Sequence, residues 1–196
     1  MILLRQPSPE AIAAFLASAE HSSFSYPETG ASRSASPGGY NVDHNRVRLG
    51  EGHEDFDRAV DAVRNWEMFN IGWVRLFDSQ APIARGSNVA VLARHFGFWS
   101  LNAARIVYVI DEDGPVARFG FAYGTLEEHV ERGEERFTVE WRKDDDEVWY
   151  EVFAFSRPNH FLTIAGYPLS RALQKRFASD SKQAMLEAVA SRRAAR

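Results

Sequence analysis

The sequence predicts an α+β domain in which a curved antiparallel sheet of about seven strands wraps around a long C-terminal helix. Three observations carry that expectation. Apolar residues alternate with a period of two from Ile71 to Ser156. The turns between those segments are too short for parallel crossovers. After Pro168 one apolar stripe continues at helical spacing almost to the end of the chain. The 196 residues suit one domain, and an apolar fraction of 45% with 14 Phe and 5 Trp supplies a large core and excludes general disorder.

Taken in order, Ile12, Phe15 and Leu16 share one face of a helix over Glu10 to Ala19, with Ser8 available as its cap. Ser22 to Gly39 is rich in Ser, Gly and Pro and reads as a loop or linker. Residues 1–39 are thus expected to form a helix and linker ahead of one domain at 40–196. Tyr40 to Leu49 alternates as a first strand, ended by Gly50 and Gly52. Phe56, Ala59, Val60, Val63 and Trp66 recur at three and four, which predicts a helix over His53 to Trp66.

Strands follow at Ile71 to Phe77, Asn88 to Phe98, Asn102 to Asp111, Val116 to Gly124, Glu135 to Arg142 and Glu147 to Ser156. Asp113-Gly114 marks a tight hairpin. Asp144 to Asp146 forms an acidic turn, and Thr125 to Gly133 is the longest polar connection. In the last strand Trp149, Glu151, Phe153 and Phe155 oppose Tyr150, Val152 and Ala154, so cover is expected on both sides. Leu169, Leu173, Phe177, Ala184, Met185 and Ala188 form the stripe of the final helix. A bent sheet gripping that helix leaves a hollow lined by aromatics, a usual setting for small ligands.

Composition narrows the function classes. A net charge of -4 gives no electrostatic footprint for nucleic acid; the one basic cluster, Arg192, Arg193 and Arg196, sits where fraying is the ordinary expectation. Zero cysteines remove disulfides, thiolate metal sites and cysteine nucleophiles, and point to the cytoplasm as the default location. The opening Met-Ile-Leu-Leu run is cut by Arg5 and Pro7, too early for a secretory signal, and no segment reaches the roughly 20 apolar residues of a membrane span. No metal-binding, nucleophile-elbow or phosphate-loop motif is present, so no cofactor or metal is implied.

The order strand, helix, six strands and long helix resembles the helix-grip, or START-like, arrangement of the Bet v 1 and polyketide-cyclase superfamily. One departure is that such folds place two short helices after the first strand, where this sequence shows one. More specific wording lies in Val42-Asp43 with Arg46 to Gly52, in Trp66 with Gly72-Trp73-Val74, in Phe98 to Asn102 and in Arg105 to Tyr108. Further segments are Phe119 to Thr125, Gly133 to Phe137, Val148 to Tyr150 and Ala154 to Pro158. These eight segments, in this order, resemble the domain of unknown function 1990 family, also designated uncharacterised protein family 0548. The resemblance implies a START-like fold; it implies no activity, and no catalytic residue can be carried over. The leader through Gly39 lies outside the strongest match and is expected to be particular to this protein.

Candidate site residues follow from their types. Arg105, the odd charge in an apolar strand, would clamp a ligand carboxylate or phosphate if it points inward, or else pair with Glu140 or Glu151. Tyr108, Tyr123 and Tyr150 offer hydroxyls to orient a ligand, His95 stands near the pocket mouth, and Trp73 and Trp99 are either lining or core. Glu127, Glu128, His129, Glu131, Arg132, Glu134 and Glu135 read either as a solvated loop or as an acid–base cluster, with His129, Glu134 and Glu135 as its working members. Asp43, His44 and Arg46 in the first strand are weaker candidates for similar chemistry.

Two functions follow. The leading expectation is a module binding an apolar or amphipathic small molecule, oriented by Arg105, Tyr108 or Tyr123; the alternative is a hydrolase- or cyclase-type enzyme in the same hollow, acting through His129 with Glu134 or Glu135, or through His95. A third, a protein-interaction domain, would show as an exposed apolar patch near Phe161 to Ile164. Fold alone does not choose among them.

Overall fold

The computed structural model describes residues 1–34, 37–77, 81–159 and 167–194. In chain order the elements are β1 (Ile2–Leu3), α1 (Pro9–Ala19), β2 (Asn41–Glu51), α2 (Gly52–Arg64), β3 (Val74–Phe77), β4 (Asn88–Arg94), β5 (Trp99–Glu112), β6 (Val116–Thr125), β7 (Glu131–Arg142), β8 (Glu147–Pro158) and α3 (Tyr167–Ala194). Short 3-10 turns occupy Ala31–Arg33 and Glu67–Phe69. The sheet runs β2-β8-β7-β6-β5-β4-β3, every pair antiparallel, with β1 added to β5. This is a helix-grip fold. Among the described residues no helix is long and apolar enough to cross a membrane.

The alternation read from sequence sets the faces. Phe119 lies opposite Val139, Phe121 opposite Phe137 and Tyr123 opposite Glu135, so these rows point together into the concave side. There they meet Ala59 and Val63 of α2, Trp66 and Phe69 beyond it, and Met185 and Val189 of α3, forming the main core. Trp66 ends α2 in the left-handed region, φ 57°, which turns its ring under the sheet to 4.8 Å from Phe121. The 3-10 turn that follows stands where the usual arrangement has a second helix.

A tie at one end closes the grip. Asp55 accepts the Glu51 amide at the start of α2 and is held by Arg58 and by Arg193 from the last turn of α3. A Cβ at Gly50 would stand 2.0 Å from the Asp55 carboxylate, so only glycine lets the strand pass this pair. Arg192 likewise reaches Glu67. These two arginines are therefore anchored, correcting the expectation of a frayed basic end; Arg196 lies outside the described residues.

On the convex side the leader is not a free linker. Ile12, Phe15 and Ala19 of α1 pack on Ala90, Leu92, Leu101 and Ala103 of β4 and β5. Farther along, Tyr26 and Tyr40 set their rings edge-on to Phe155, which covers the end of β8 as expected. Nearer its start β8 is covered differently: the guanidinium groups of Arg46 and Arg142 lie over Trp149, and that of Arg136 over Phe153.

Several boundaries shift. The strand predicted at Ile71 to Phe77 begins only at Val74, and β5 already at Trp99, because His95–Phe98 makes the turn, the Gly97 amide donating to the His95 carbonyl. The connection Thr125 to Gly133 is shorter than expected, since Thr125 closes β6 and Glu131 to Gly133 open β7. Phe161 to Ile164 lies outside the described residues.

Candidate functional site

Under the first turns of α3 the grip leaves a cavity of about 310 Å³. Its roof is Leu169, Ser170, Leu173, Gln174 and Phe177 of α3, and its floor is the concave face of β2, β8, β7 and β6. Phe69, Trp73 and Val91 close one side, and His95, Phe98, Ser100 and Asn102 another. Ala178, Ser181, Met185, Ala188 and Val189 are buried against the sheet, whereas Leu169 remains 40% exposed beyond the sheet's closest approach.

Polar groups enter this wall through strand register. Asp43 of β2 lies opposite Ala154 of β8, which lies opposite Glu135 of β7, opposite Tyr123 of β6. One row across four strands therefore carries two carboxyls and a phenol into the hollow. The Tyr123 hydroxyl donates to Glu135 at 2.6 Å. Burial and the nearby Asp43 charge push the Glu135 carboxyl up to about 7 despite that bond. Burial pushes the Tyr123 phenol far upward, so it stays a donor. Asp43 itself accepts two bonds from Arg171 of α3, at 2.5 and 2.7 Å.

A second polar strip runs along the β4–β5 and β6–β7 ends. His95 Nε2 is 2.7 Å from the Ser100 hydroxyl, which also accepts from the Asn102 amide. Burial lowers the His95 pKa. His129 Nδ1 accepts from the Glu131 amide at 3.0 Å, and burial, aided by the chain's terminal ammonium, pushes its pKa down to about 3. Ser170 donates to Glu131, whose carboxyl burial raises. Among the described residues no group of three His, Cys, Asp or Glu is placed to hold a metal ion.

The family model described as "Domain of unknown function (DUF1990)" matches residues 25–184. The chain belongs to this family. A UPF0548 protein of Dictyostelium discoideum is 44% identical over 161 residues, covering 78% of this chain and 74% of its own. Another, of Deinococcus radiodurans, is 39% identical over 188 residues, covering 90% of this chain and 92% of its own. Among solved structures, hypothetical protein jhp0584 from Helicobacter pylori has a TM-score of 0.48 at 17% identity, covering 85% of this chain and 94% of its own. Human STARD10 has a TM-score of 0.46 at 10% identity, covering 93% and 81%.

The DUF1990 match takes in every cavity-lining position from Asp43 to Ala178. It also begins inside the leader, and the Deinococcus relative leaves uncovered about a tenth of the chain, less than residues 1–39. The leader is thus not particular to this protein.

Of the residues singled out from sequence, the fold brings Asp43, Trp73, His95, Tyr123, His129, Glu131 and Glu135 to the cavity. Trp73 donates through its indole N–H to Asp180 of α3. Tyr150 is buried beside the hollow, bonded to Ser181 at 2.8 Å. The others face the convex side. Arg105 pairs with neither Glu140 nor Glu151: it donates to Asn88 and to the carbonyls of Ala19, Glu20 and Ser22, capping the end of α1. Tyr108 meets Ser32 at 2.6 Å, and Trp99 packs in the cluster under α1. Glu140 is bound by Arg46 and Arg118, while Glu151 takes Arg136 and His44. The Glu134 backbone borders the cavity, but its carboxylate is enclosed by the leader, accepting from Tyr26, the amides of Gly30 and Ser32, and the Ser32 hydroxyl.

Sequence reasoning missed Phe69, Ser100, Asn102, Ser170 and Arg171. For Arg171 no local signal exists, because its partner Asp43 is 128 positions away.

Proposed function

We propose that this DUF1990 protein binds an amphipathic small molecule in the cavity beneath α3. One observation carries the reading: a hollow of about 310 Å³, lined mainly by apolar surface, whose floor holds a carboxyl–phenol pair, Glu135 and Tyr123. Such a site takes an apolar body and orients it by one polar end. Displacement of the neutral fluorophore N-phenyl-1-naphthylamine by apolar alcohols and amines tests it. Ala154→Trp, filling the floor between Asp43 and Glu135, is expected to abolish uptake while leaving the circular dichroism spectrum unchanged. Full fluorophore binding by that variant would show uptake elsewhere and end the reading.

A second reading, acid–base chemistry on the bound molecule, has one observation in its favour: a cavity carboxyl pushed up to about 7, able to give and take a proton near neutrality. Glu135 with neutral His129 is the pair that reading retains; Glu134, enclosed by the leader, drops out of it. Mass spectrometry of ligands recovered after incubation, with Glu135→Gln as control, tests it. Unchanged ligands would leave the binding reading alone standing.

A further inference from the structure

Charge in the cavity wall is one-sided. Asp43, Glu131, Glu134 and Glu135 line it, and among the described lining residues there is no lysine or arginine. Arg171 stands behind the wall, bonded to Asp43. Glu134 is saturated by donors on the convex side. Glu135 has a neutral hydroxyl donor, Tyr123, and no ion-pair partner among the described residues, whereas Glu131 takes Ser170 and Ser156 and feels the Arg171 charge. The imidazoles supply no compensating charge, since burial holds both His95 and His129 below their usual pKa. The buried Nδ1 of His95 has no partner at all among the described residues. Beside Glu135 the rings are grouped: Phe69 lies 6.2 Å from Tyr123 and 5.5 Å from Phe177.

A carboxyl without a cation among the described residues, next to clustered aromatic faces in a mainly apolar hollow, is complementary to an ammonium group. Resting on the binding reading above, we infer that the cavity selects a cationic amphiphile, a protonated primary amine on an apolar body, with Glu135 as its counter-ion. An anionic ligand would place its charge against the carboxyls of Asp43, Glu131 and Glu135, and a neutral one would leave Glu135 without a counter-ion.

Proton linkage follows. The groups facing Glu135 are Asp43 from β2, Tyr123 from β6 and Tyr150 from β8; Arg171 from α3 is bonded to Asp43, and Glu131, His95 and His129 lie farther along the wall. In the empty cavity Glu135 is partly protonated at neutral pH. An ammonium requires the ionised form, so binding expels that proton and tightens with rising pH. For a carboxyl titrating near 7, affinity gains about tenfold between pH 6 and pH 8.

Isothermal titration calorimetry with 4-phenylbutylamine, 4-phenylbutanol and 4-phenylbutyrate, which share one apolar body, separates the possibilities. The amine is expected to bind about tenfold or more tighter than the alcohol, the acid weakest, with proton release visible in buffers of different ionisation enthalpy. In Glu135→Gln the amine's advantage over the alcohol and its pH dependence should vanish. The wild-type pH series is a test in its own right should that variant fail to fold. Alcohol or acid binding as tightly as the amine, or amine affinity flat from pH 6 to pH 8, overturns this inference and leaves the binding reading intact. If none of the three binds, both are overturned.

Discussion

Glu134 and Glu135 are adjacent in β7, yet strand pleating sends them to opposite faces of the sheet with opposite consequences. On the convex face the leader wraps Glu134 in four donors, so a buried charge becomes an anchor. On the concave face Glu135 has one phenol and an empty hollow, and burial drives its carboxyl toward the neutral form. The convex carboxylate is satisfied from within the chain; the concave one is left for something else to satisfy. A buried polar group costs little when its partners are supplied and much when they are not.

That contrast can be broken by mutation. Glu134→Ala should have the largest effect, costing about 3 to 5 kcal/mol in urea unfolding, because the Tyr26 hydroxyl, two amides and Ser32 lose their acceptor. Amide hydrogen exchange at Gly30 and Ser32 should rise with it. A loss below about 1 kcal/mol would mean that the leader is held by apolar contacts alone.

Glu135→Gln should act in the reverse sense and only at higher pH. The folded carboxyl is raised from 4.5 to about 7, so its favourable contribution is complete below 4.5 and is lost as pH rises through 7. The variant is expected to match wild type near pH 4.5 and to exceed it by about 1 to 3 kcal/mol at pH 8. Equal stability at both pH values would show that Glu135 is solvated.

His129 sharpens the comparison from the acid side. Its folded pKa is depressed to about 3 from 6.5, so its contribution is present above 6.5 and declines as pH falls toward 3. His129→Asn should remove about 1 to 2 kcal/mol of the wild-type stability loss between pH 6.5 and pH 5. A parallel pH profile for variant and wild type would refute the buried, neutral state.

The smallest effect belongs to the roof. Leu169→Ala, at a position 40% exposed, should change stability by less than about 0.5 kcal/mol. It should nonetheless weaken fluorophore uptake, because Leu169 lines the cavity. A loss of stability comparable with a core truncation would mean that the roof is packed rather than hollow.

Much of the scaffold was legible in the chain because its signals are local. Period-two alternation marked every strand of the β4–β8 run, and the stripe through Phe177 and Met185 marked α3. The site was legible only where a residue type was unusual for its setting, as with His129 and Glu135 in the charged connection. Arg105 shows the opposite case: an isolated charge in an apolar strand pointed to a ligand or to an ion pair with Glu140 or Glu151, and the structure uses it on the carbonyls ending α1.

The sequence by itself determined the helix-grip architecture, the family and the supply of aromatic and acidic residues, since periodicity and wording are properties of neighbours along the chain. Tertiary structure alone decided which acid is caged and which faces the hollow, and it paired Asp43 with Arg171. Those outcomes depend on strand register and on contacts between segments more than a hundred positions apart, and local spacing does not encode either.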